Sequence, residues 1–251
     1  MKISLFQNAP KLRKTTLAEL ENSLKNVETD LVVLPELSLN GYLLKDAVFE
    51  DAYELFEIEE IAQLSKDKDI VFGCALRVKH KIYNSAIYCS NGVIKHIHHK
   101  NVLPNYGLFQ EARFFFEGEE LSSFDTKFGE TMMVICEEMF SAKVIEKIAS
   151  IKPQLVLVLS NSPTRGFEEQ GLLIEHQWTS LLSSSAILSG AHVAFVNRVG
   201  FEDGLGFWGG SRFINPKGEI IKKAQLFEEE ILEGNIDTHL SKTQKYLLRI
   251  K

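Results

Sequence analysis

Cysteine is scarce in this chain, and no run of apolar residues is long enough to span a membrane. The cysteines are Cys74, Cys89 and Cys136, and they form no CxxC pair. Three scattered cysteines are too few for a disulfide framework, and the missing CxxC pair argues against a zinc site. A membrane helix needs about 20 apolar residues, and the start MKISLFQNAP has no signal-peptide pattern. We therefore expect a reduced, cytoplasmic protein with no membrane association, whose fold begins at residue 1.

Positive charge is also in short supply, since 28 Lys and Arg residues against 34 Asp and Glu give a net charge of -6. A chain of this charge repels the phosphates of nucleic acids, so we expect no nucleic-acid partner. No Pro-, Gly- or Ser-rich linker interrupts the 251 residues, and hydrophobic residues make up 45% of them, which is typical of a globular protein. We therefore expect a single folded domain over residues 1–251.

Apolar runs of strand length alternate with helical periodicity along the whole chain. Strands are predicted over residues 2–7, 31–34, 70–77, 82–90, 93–98, 131–135, 155–159, 192–197, 210–215, 219–222 and 229–237, with an Asn91-Gly92 hairpin turn. Helices are predicted over residues 16–26, 55–66, 142–150 and 172–188. Because strands greatly outnumber helices, we expect an α/β protein in which two sheets pack face to face beneath outer helices, a four-layer α-β-β-α sandwich.

Three predicted buried strands each lead, at the carboxyl end, into a side chain that can take part in chemistry. The segment VVLPE ends at Glu36, HHK ends at Lys100, and MVICE contains Cys136. The carboxyl ends of strands are where α/β proteins commonly place their sites. Taken singly, these residues have ordinary interpretations as a solvated loop carboxylate, an edge charge and a small core residue. Their occurrence together favours an active site.

The sequence around these residues resembles the nitrilase superfamily of carbon-nitrogen hydrolases, whose members carry a Glu-Lys-Cys triad on an α-β-β-α sandwich. The resemblance covers nearly the whole chain and includes YNSA at residues 83–86, GGS at 209–211 and NPKG at 215–218. The loop KNVLPNYGLFQE at residues 100–111 and the tetrapeptide ICEE at 135–138 are similar to the glutaminase domain of glutamine-dependent NAD synthetases. The resemblance implies an amide-hydrolysing enzyme of the nitrilase type.

The chemistry of amide cleavage agrees with the roles that the resemblance implies. The reaction needs a nucleophile, a group that moves protons, and donors aimed at the developing oxyanion. Cys136 is expected to attack and form a thioester, while Glu36 takes the thiol proton and passes it to the leaving ammonia. Lys100 is expected to stabilise the tetrahedral oxyanion, together with the backbone N–H that follows the cysteine. Water activated by Glu36 then hydrolyses the thioester.

Supporting residues are expected in neighbouring loops. The resembling glutaminase loop implies that Glu111 is a second carboxylate that holds Lys100 and the substrate, although a solvated loop charge is the alternative. The same loop and the tetrapeptide ICEE contribute Tyr106 and Glu137 as candidates for substrate binding. The loop after residues 155–159 contributes three further candidates for lining the acyl pocket, namely Ser160, Asn161 and Ser162. The alternative is that these residues form an ordinary polar turn.

Three histidines that lie close in sequence do not predict a metal site. Strand alternation places His96 and His98 on one face and His99 on the other, and no second ligand pair is evident. We therefore expect no metal and no cofactor. The chain also has no SGGxDS-type phosphate loop, so we expect no synthesis of NAD by this chain alone.

The leading hypothesis is a thiol amidohydrolase that converts a small, glutamine-like carboxamide to a carboxylate and ammonia. The same triad would serve an N-carbamoyl amide or a nitrile, and pocket shape decides between them. Two further alternatives are a glutaminase subunit that supplies ammonia to a separate synthetase and a non-catalytic module that keeps the fold. The resemblance also implies a homo-oligomer, most simply a dimer. Apolar stripes at helical spacing that suit such pairing are formed by Phe140, Val144, Ile148, Trp178, Leu181 and Leu182.

Overall fold

A computed structural model describes residues 1–9, 13–41, 45–107, 109–169 and 171–248. The strands of these residues are β1 (Lys2–Gln7), β2 (Leu31–Val33), β3 (Asp69–Val78), β4 (Lys81–Ser90), β5 (Val93–His99), β6 (Ser123–Thr126), β7 (Gly129–Ile135), β8 (Leu155–Ser160), β9 (Phe167–Glu168), β10 (Gly171–Leu172), β11 (His192–Asn197), β12 (Val199–Glu202), β13 (Leu205–Trp208), β14 (Arg212–Ile214), β15 (Ile220–Lys223) and β16 (Glu230–Asn235). The α-helices are α1 (Leu17–Leu24), α2 (Val48–Asp51), α3 (Leu55–Ala62), α4 (Glu111–Phe114), α5 (Ala142–Ile151), α6 (Leu173–Ser189) and α7 (Thr238–Leu247). Short 3-10 helices cover Lys45–Ala47, Gln63–Ser65 and Cys136–Phe140.

Most of the strands belong to two six-stranded sheets of similar design. The first sheet has the order β16-β1-β2-β3-β4-β5, and the second has the order β15-β14-β11-β8-β7-β6. In each sheet three central strands are parallel, β1-β2-β3 and β11-β8-β7, and the outer strands are antiparallel to their neighbours. The short strands pair as the hairpins β9-β10 and β12-β13. Parallel neighbours bring their carboxyl ends to one edge of each sheet.

The two sheets pack face to face because the central strands are apolar on both sides. In β2, Leu31 and Val33 lie in the core between the sheets, whereas Val32 lies beneath the helices. In β8, Leu157 lies in the inner core and Val156 lies on the outer face. Helices α1 and α3 cover the first sheet, and α5 and α6 cover the second. The predicted four-layer α-β-β-α sandwich is confirmed, and its double burial explains why these strands are continuous apolar runs.

The apolar stripes of α5 and α6 are used mainly inside the subunit. Val144 and Ile148 of α5 are buried against the second sheet, and so are Trp178 and Leu182 of α6. Each of these helices needs its stripe to cover its own sheet. These four side chains are therefore unavailable to the dimer interface that the sequence predicts from them, whereas Phe140 of the same set is exposed.

The elements that the sequence pattern does not predict are short or exposed. The pattern misses β6, the β9-β10 and β12-β13 hairpins, and helices α2, α4 and α7. The β12-β13 hairpin contains Gly200 and Gly206 and exposes Phe201, so it lacks the alternation of a half-buried strand. Helix α7 buries Ser241 but carries no buried apolar stripe, so periodicity does not indicate it.

Neither a membrane helix nor a metal cluster is found among the residues that the structure describes. No helix in these ranges is both long and apolar enough to cross a membrane. Over the same residues, no group of three or more His, Cys, Asp and Glu side chains is arranged to hold a metal ion. The histidines divide as strand alternation predicts. His98 contacts Glu138 near the second sheet and His96 stacks on a phenylalanine of β6, whereas His99 stacks on Tyr83 of the first sheet.

Candidate active site

Three strand ends bring Glu36, Lys100 and Cys136 together at one edge of the sandwich. Glu36 lies three residues beyond β2, and Lys100 directly follows β5, both in the first sheet. Cys136 directly follows β7 of the second sheet. Because β2 and β5 run in the same direction, their carboxyl ends lie at the same edge. The site is therefore assembled from both sheets.

Lys100 lies at the centre of the site and is 0% exposed. Its Nζ donates to Glu36 Oε1 at 2.7 Å and to both carboxylate oxygens of Glu111 at 2.9 Å. Burial alone would lower the pKa of Lys100, but the carboxylates of Glu111 and Glu36 outweigh burial and hold that pKa above its usual value. Lys100 is therefore a fixed positive charge. Glu111, in the one-turn helix α4, is buried rather than solvated.

The carboxylate of Glu36 is held by three donors. Its Oε1 accepts from Asn84 Nδ2 at 2.8 Å as well as from Lys100. Its Oε2 accepts from the backbone N–H of Asn161 at 2.9 Å. These contacts come from β4, from the end of β5 and from the loop after β8, so residues of both sheets fix the orientation of the carboxylate.

The turns that carry the acid and the thiol have unusual backbone conformations. Leu37, which follows Glu36, has φ of 48°, and Cys136 has φ of 45°. Such left-handed conformations cost roughly 1–3 kcal/mol for residues other than glycine and are common at active sites. The first turn also lies tightly against Gly73 of β3, where a Cβ atom would come within 2.4 Å of the backbone nitrogen of Leu37. Glycine at this position allows the close approach.

The thiol of Cys136 is partly buried and lies beside polar groups from β8 and the following loop. Ser160 Oγ donates to Cys136 Sγ at 3.4 Å. Burial and then the carboxylate of Glu36 raise the pKa of the Cys136 thiol, whereas Lys100, Ser160 and the backbone of Asn161 oppose the rise. The net effect is a pKa well above the usual value. A raised pKa favours the protonated thiol, so any nucleophilic reaction of this sulfur would need a base beside it.

A narrow pocket opens on the thiol and widens toward solvent. Its inner part holds about 10 Å³ of free space, close to what one water molecule needs. The walls of this part include Pro104, Phe109, Cys136, Asn161 and Trp178. The adjoining outer part holds about 360 Å³ and is lined by Tyr106, Glu137, Phe140, Arg165, Leu173, Ile174 and Gln177. The outer part is therefore the larger space available for a ligand.

The outer part of the pocket contains charges of both signs. Glu137 accepts a hydrogen bond from the Tyr106 hydroxyl at 2.9 Å. The Arg165 guanidinium lines the same space and lies 5.5 Å from the ring centre of Phe109. Two opposite charges in one pocket can bind a ligand that carries an ammonium and a carboxylate.

The loop after β8 gives different contacts to its three candidate residues. Ser160 contacts the sulfur of the thiol. The carboxamide of Asn161 lies buried in the wall of the inner pocket, with neither its nitrogen nor its oxygen hydrogen-bonded. Ser162 Oγ accepts from Trp178 Nε1 at 2.9 Å and from Trp208 Nε1 at 3.3 Å. The hydroxyl of Ser162 therefore holds the loop against the two tryptophan side chains.

Sequence reasoning missed Asn84, Glu138 and Arg165. Asn84 lies in the YNSA segment, which is part of the family resemblance, but the segment does not indicate that Asn84 contacts Glu36. Glu138 lies next to a predicted candidate, but its partner His98 is contributed by the other sheet. Arg165 follows a proline-containing loop and has no local signal. Leu108 of the predicted substrate loop lies outside the described residues.

Sequence comparison shows which known proteins this chain is similar to. Residues 2–246 match the family model for carbon-nitrogen hydrolases. A glutamine-dependent NAD(+) synthetase of Acinetobacter baylyi is 31% identical over 97% of this chain and 46% of its own length. One from Thermotoga maritima is 30% identical over 94% of this chain and 42% of its own length. The chain therefore spans less than half the length of these relatives.

Solved structures agree with the sequence comparison. Glutamine-dependent NAD+ synthetase from Acinetobacter baumannii superposes with a TM-score of 0.80 at 27% identity, over 92% of this chain and 44% of that protein. A carbon-nitrogen hydrolase from Helicobacter pylori has the same fold, with a TM-score of 0.82 at 21% identity over 99% of this chain and 93% of its own. The resemblance to the nitrilase superfamily is confirmed. Since the family model covers almost all of its residues, this chain belongs to the carbon-nitrogen hydrolase family.

Proposed function

We propose that this protein is a thiol amidohydrolase that converts a glutamine-like primary carboxamide to its carboxylate and ammonia. The observation that carries the proposal is the buried ammonium of Lys100, shared by Glu36 and Glu111 beside the thiol of Cys136. Relatives named glutamine-dependent NAD(+) synthetases support a substrate shaped like glutamine. N-carbamoyl amides and nitriles are the competing substrates for the same triad.

In the first half of the proposed reaction, Glu36 takes the thiol proton as Cys136 Sγ attacks the carbonyl carbon. The carbonyl oxygen becomes an oxyanion, which Lys100 and the backbone N–H of Glu137 stabilise. Glu36 then returns the proton to the leaving nitrogen, the C–N bond breaks, and ammonia departs. The acyl group stays on sulfur as a thioester.

In the second half, Glu36 accepts a proton from water as the water oxygen attacks the thioester carbonyl. The same donors stabilise the second tetrahedral oxyanion. The C–S bond breaks, the thiolate takes back a proton, and the carboxylate product leaves. Glu111 acts on Lys100 in both halves, since its two oxygens hold the ammonium charged and oriented.

The proposed substrate has an α-amino acid end and a primary carboxamide end. Glu137 would accept the substrate ammonium, and Arg165 would bind its carboxylate in the outer pocket. At the inner end, the unpaired carboxamide of Asn161 has one donor group and one acceptor, which a primary amide can match. A buried polar group without a partner costs about 1–3 kcal/mol, and substrate binding would recover that cost.

A panel of substrates scored by ammonia release tests the proposal. The panel contains glutamine, asparagine, glutaric acid monoamide, N-carbamoyl-β-alanine and an aliphatic nitrile. Glutamine is expected to have the highest kcat/KM, because it alone combines the correct chain length with both α-groups. Preference for the carbamoyl compound or the nitrile would contradict the substrate class, and no ammonia from any compound would contradict the hydrolase activity.

Variants of the outer pocket test how the substrate is held. Glu137→Gln and Arg165→Gln are each expected to raise KM for glutamine about tenfold, because hydrogen bonds to charged groups contribute roughly 1.5–3 kcal/mol. kcat should change little, since these charges bind substrate and transition state alike. Glutaric acid monoamide lacks the α-amino group and is the matched control, so Glu137→Gln should leave its KM unchanged. An equal rise for both compounds would disprove the assignment of Glu137.

A second proposed role is the supply of ammonia to a synthetase. It is favoured by the relatives, which are named as synthetases that depend on glutamine and of which this chain matches less than half. The ammonia released from glutamine would then be consumed by a reaction that a separate synthetase carries out.

We also propose that the active form is a homodimer. Two exposed apolar side chains lie near the end of α6 over the second sheet and outside the lining of the pocket, namely Ile187 and Leu188. A second copy placed over these side chains would remove them from water. Light scattering coupled to size exclusion is expected to give twice the chain mass of 28.4 kDa. A fully active species at the mass of one chain would overturn the proposal.

A further inference from the structure

The carboxylate of Glu138 lies between the two catalytic strand ends and contacts both. Glu138 is 0% exposed and lies two residues after Cys136 in the 3-10 helix. Its Oε2 accepts from the backbone N–H of Ile135, directly before the thiol, at 2.7 Å. Its Oε1 accepts from the backbone N–H of Asn101, directly after Lys100, at 2.8 Å. One side chain therefore ties the second sheet to the first at the active site.

His98 adds a third contact to the same carboxylate. Its Nε2 lies 2.9 Å from Oε2 and 3.0 Å from Oε1 of Glu138. His98 is buried and lies two residues before Lys100. An ionised carboxylate has about four acceptor positions, so the two backbone N–H groups and the ring can be bound at once. Each of these contacts goes to a residue within two positions of Lys100 or Cys136.

We propose that Glu138 is a positioning residue that fixes the distance between the oxyanion donor Lys100 and the nucleophile Cys136. The inference rests on the proposed amide hydrolysis, in which both groups act on the same carbonyl. The two strand ends belong to different sheets, so backbone ladder bonds do not fix their separation. Hydrogen bonds to a charged carboxylate are short and strong, and they supply that constraint. The constraint matters because a misplacement of about 1 Å can cost about 100-fold in rate.

Glu138→Gln tests the constraint with almost no change in shape. Glutamine replaces one acceptor oxygen by an NH2 donor. In either orientation of the amide, its nitrogen faces the backbone N–H of Ile135 or of Asn101. The hydrogen bond from that N–H is then lost. kcat is expected to fall about 10- to 100-fold with little change in KM, because Glu138 does not contact the substrate pocket. Glu138→Asp keeps the charge with a shorter reach, and its kcat should lie between those of Glu138→Gln and the wild type.

Asp69→Asn is the matched control. Asp69 is also buried, and it accepts from Tyr88 Oη at 2.6 Å and from Ser90 Oγ at 2.8 Å. It pairs with Lys127, which lies between β6 and β7, at 3.2 Å, so it too links the sheets. However, Asp69 lies at the start of β3, away from the edge with the strand ends that carry the site. This variant should lose thermal stability but keep kcat.

Alkylation of Cys136 by iodoacetamide measures the positioning without any substrate. Its rate follows the fraction of thiolate. The charged or titratable groups around the sulfur and behind its neighbours are Glu36, Lys100, Tyr106, Glu111, Glu137, Glu138, Arg165 and His98. If Lys100 moves away from the sulfur in Glu138→Gln, alkylation at a fixed alkaline pH slows, as it should in Lys100→Met. Loss of the Glu138 charge alone would speed alkylation at that pH. A loosened site would also speed alkylation, by exposing the sulfur.

The expected result is a lower kcat and slower alkylation at a fixed alkaline pH in Glu138→Gln, with neither change in Asp69→Asn. The proposal is overturned if Glu138→Gln keeps more than about half of the wild-type kcat, if its alkylation becomes faster, or if Asp69→Asn loses as much activity. If Glu138→Gln does not fold, His98→Leu keeps both backbone ties and should show smaller changes in the same direction. An unchanged His98→Leu would then count against the proposal. Failure of every amide substrate would refute the proposed function, while alkylation would still decide the role of Glu138.

Discussion

Alanine at position 136 is expected to abolish ammonia release while leaving the fold intact. The sulfur of Cys136 is the atom that would form the thioester, and no other thiol lies in the described pocket. Loss of the nucleophile in a concerted site of this kind costs on the order of 10⁵-fold or more in kcat. Ammonia release from glutamine measures the effect, and circular dichroism checks the fold.

Cys89→Ala is the matched control for this result, because Cys89 is a fully buried cysteine of β4. It should keep wild-type kcat after any loss of stability is taken into account. Mass spectrometry of enzyme mixed briefly with substrate should locate an acyl adduct on Cys136. An adduct on Cys74 or Cys89, or ammonia release by the Cys136→Ala variant at the wild-type rate, would show that the nucleophile is assigned wrongly.

Replacing Glu36 with glutamine is expected to have the next largest effect, at least about 100-fold in kcat. Burial raises the pKa of the Cys136 thiol, so the proposed attack would need a base beside the sulfur. Glutamine keeps the size of the side chain but cannot accept the proton. The residual rate should therefore increase with pH, as hydroxide in solution replaces the missing base. A variant that keeps more than about a tenth of the activity would disprove the role of Glu36.

Lys100→Met should cost a similar factor of about 100 or more through loss of the oxyanion donor. It also removes the ammonium that faces the buried carboxylates of Glu36 and Glu111, and loss of one partner of a buried ion pair can cost about 3–5 kcal/mol of stability. The double variant Lys100→Met/Glu111→Gln removes one of these charges. Its kcat is best compared with that of Glu111→Gln alone. Equal kcat values for Lys100→Met/Glu111→Gln and Glu111→Gln would show that Lys100 does not stabilise the oxyanion.

The central strands and the triad positions could be predicted from the sequence because their signals are local. β2 and β8 are continuous apolar runs, since both of their faces are buried. Glu36 and Cys136 stand out because each interrupts such a run at its end. The buried position of Glu111 could be anticipated only from the resemblance of its loop, because a charged residue in a four-residue helix has no periodic signal of burial.

The remaining parts of the site depend on contacts between the sheets. Glu138 and His98 are 40 residues apart in sequence and belong to different layers, so no spacing rule connects them. The sequence places His98 correctly on its strand face but does not reveal what that face meets. Arg165 lies in an exposed loop whose approach to Glu137 exists only after the sandwich has formed.

The position of β16 in the first sheet has a consequence for synthesis of the protein. β1 pairs with β16 along its whole length, from Lys2 opposite Asn235 to Gln7 opposite Glu230. At about 5–20 residues per second, the ribosome needs roughly 10–50 s to make the partner strand after β1. During that interval one edge of β1 has no partner, and an open strand edge is a template for association with other chains. A nascent chain that stalls before residue 230 therefore exposes an aggregation-prone edge next to the strand that leads to Glu36.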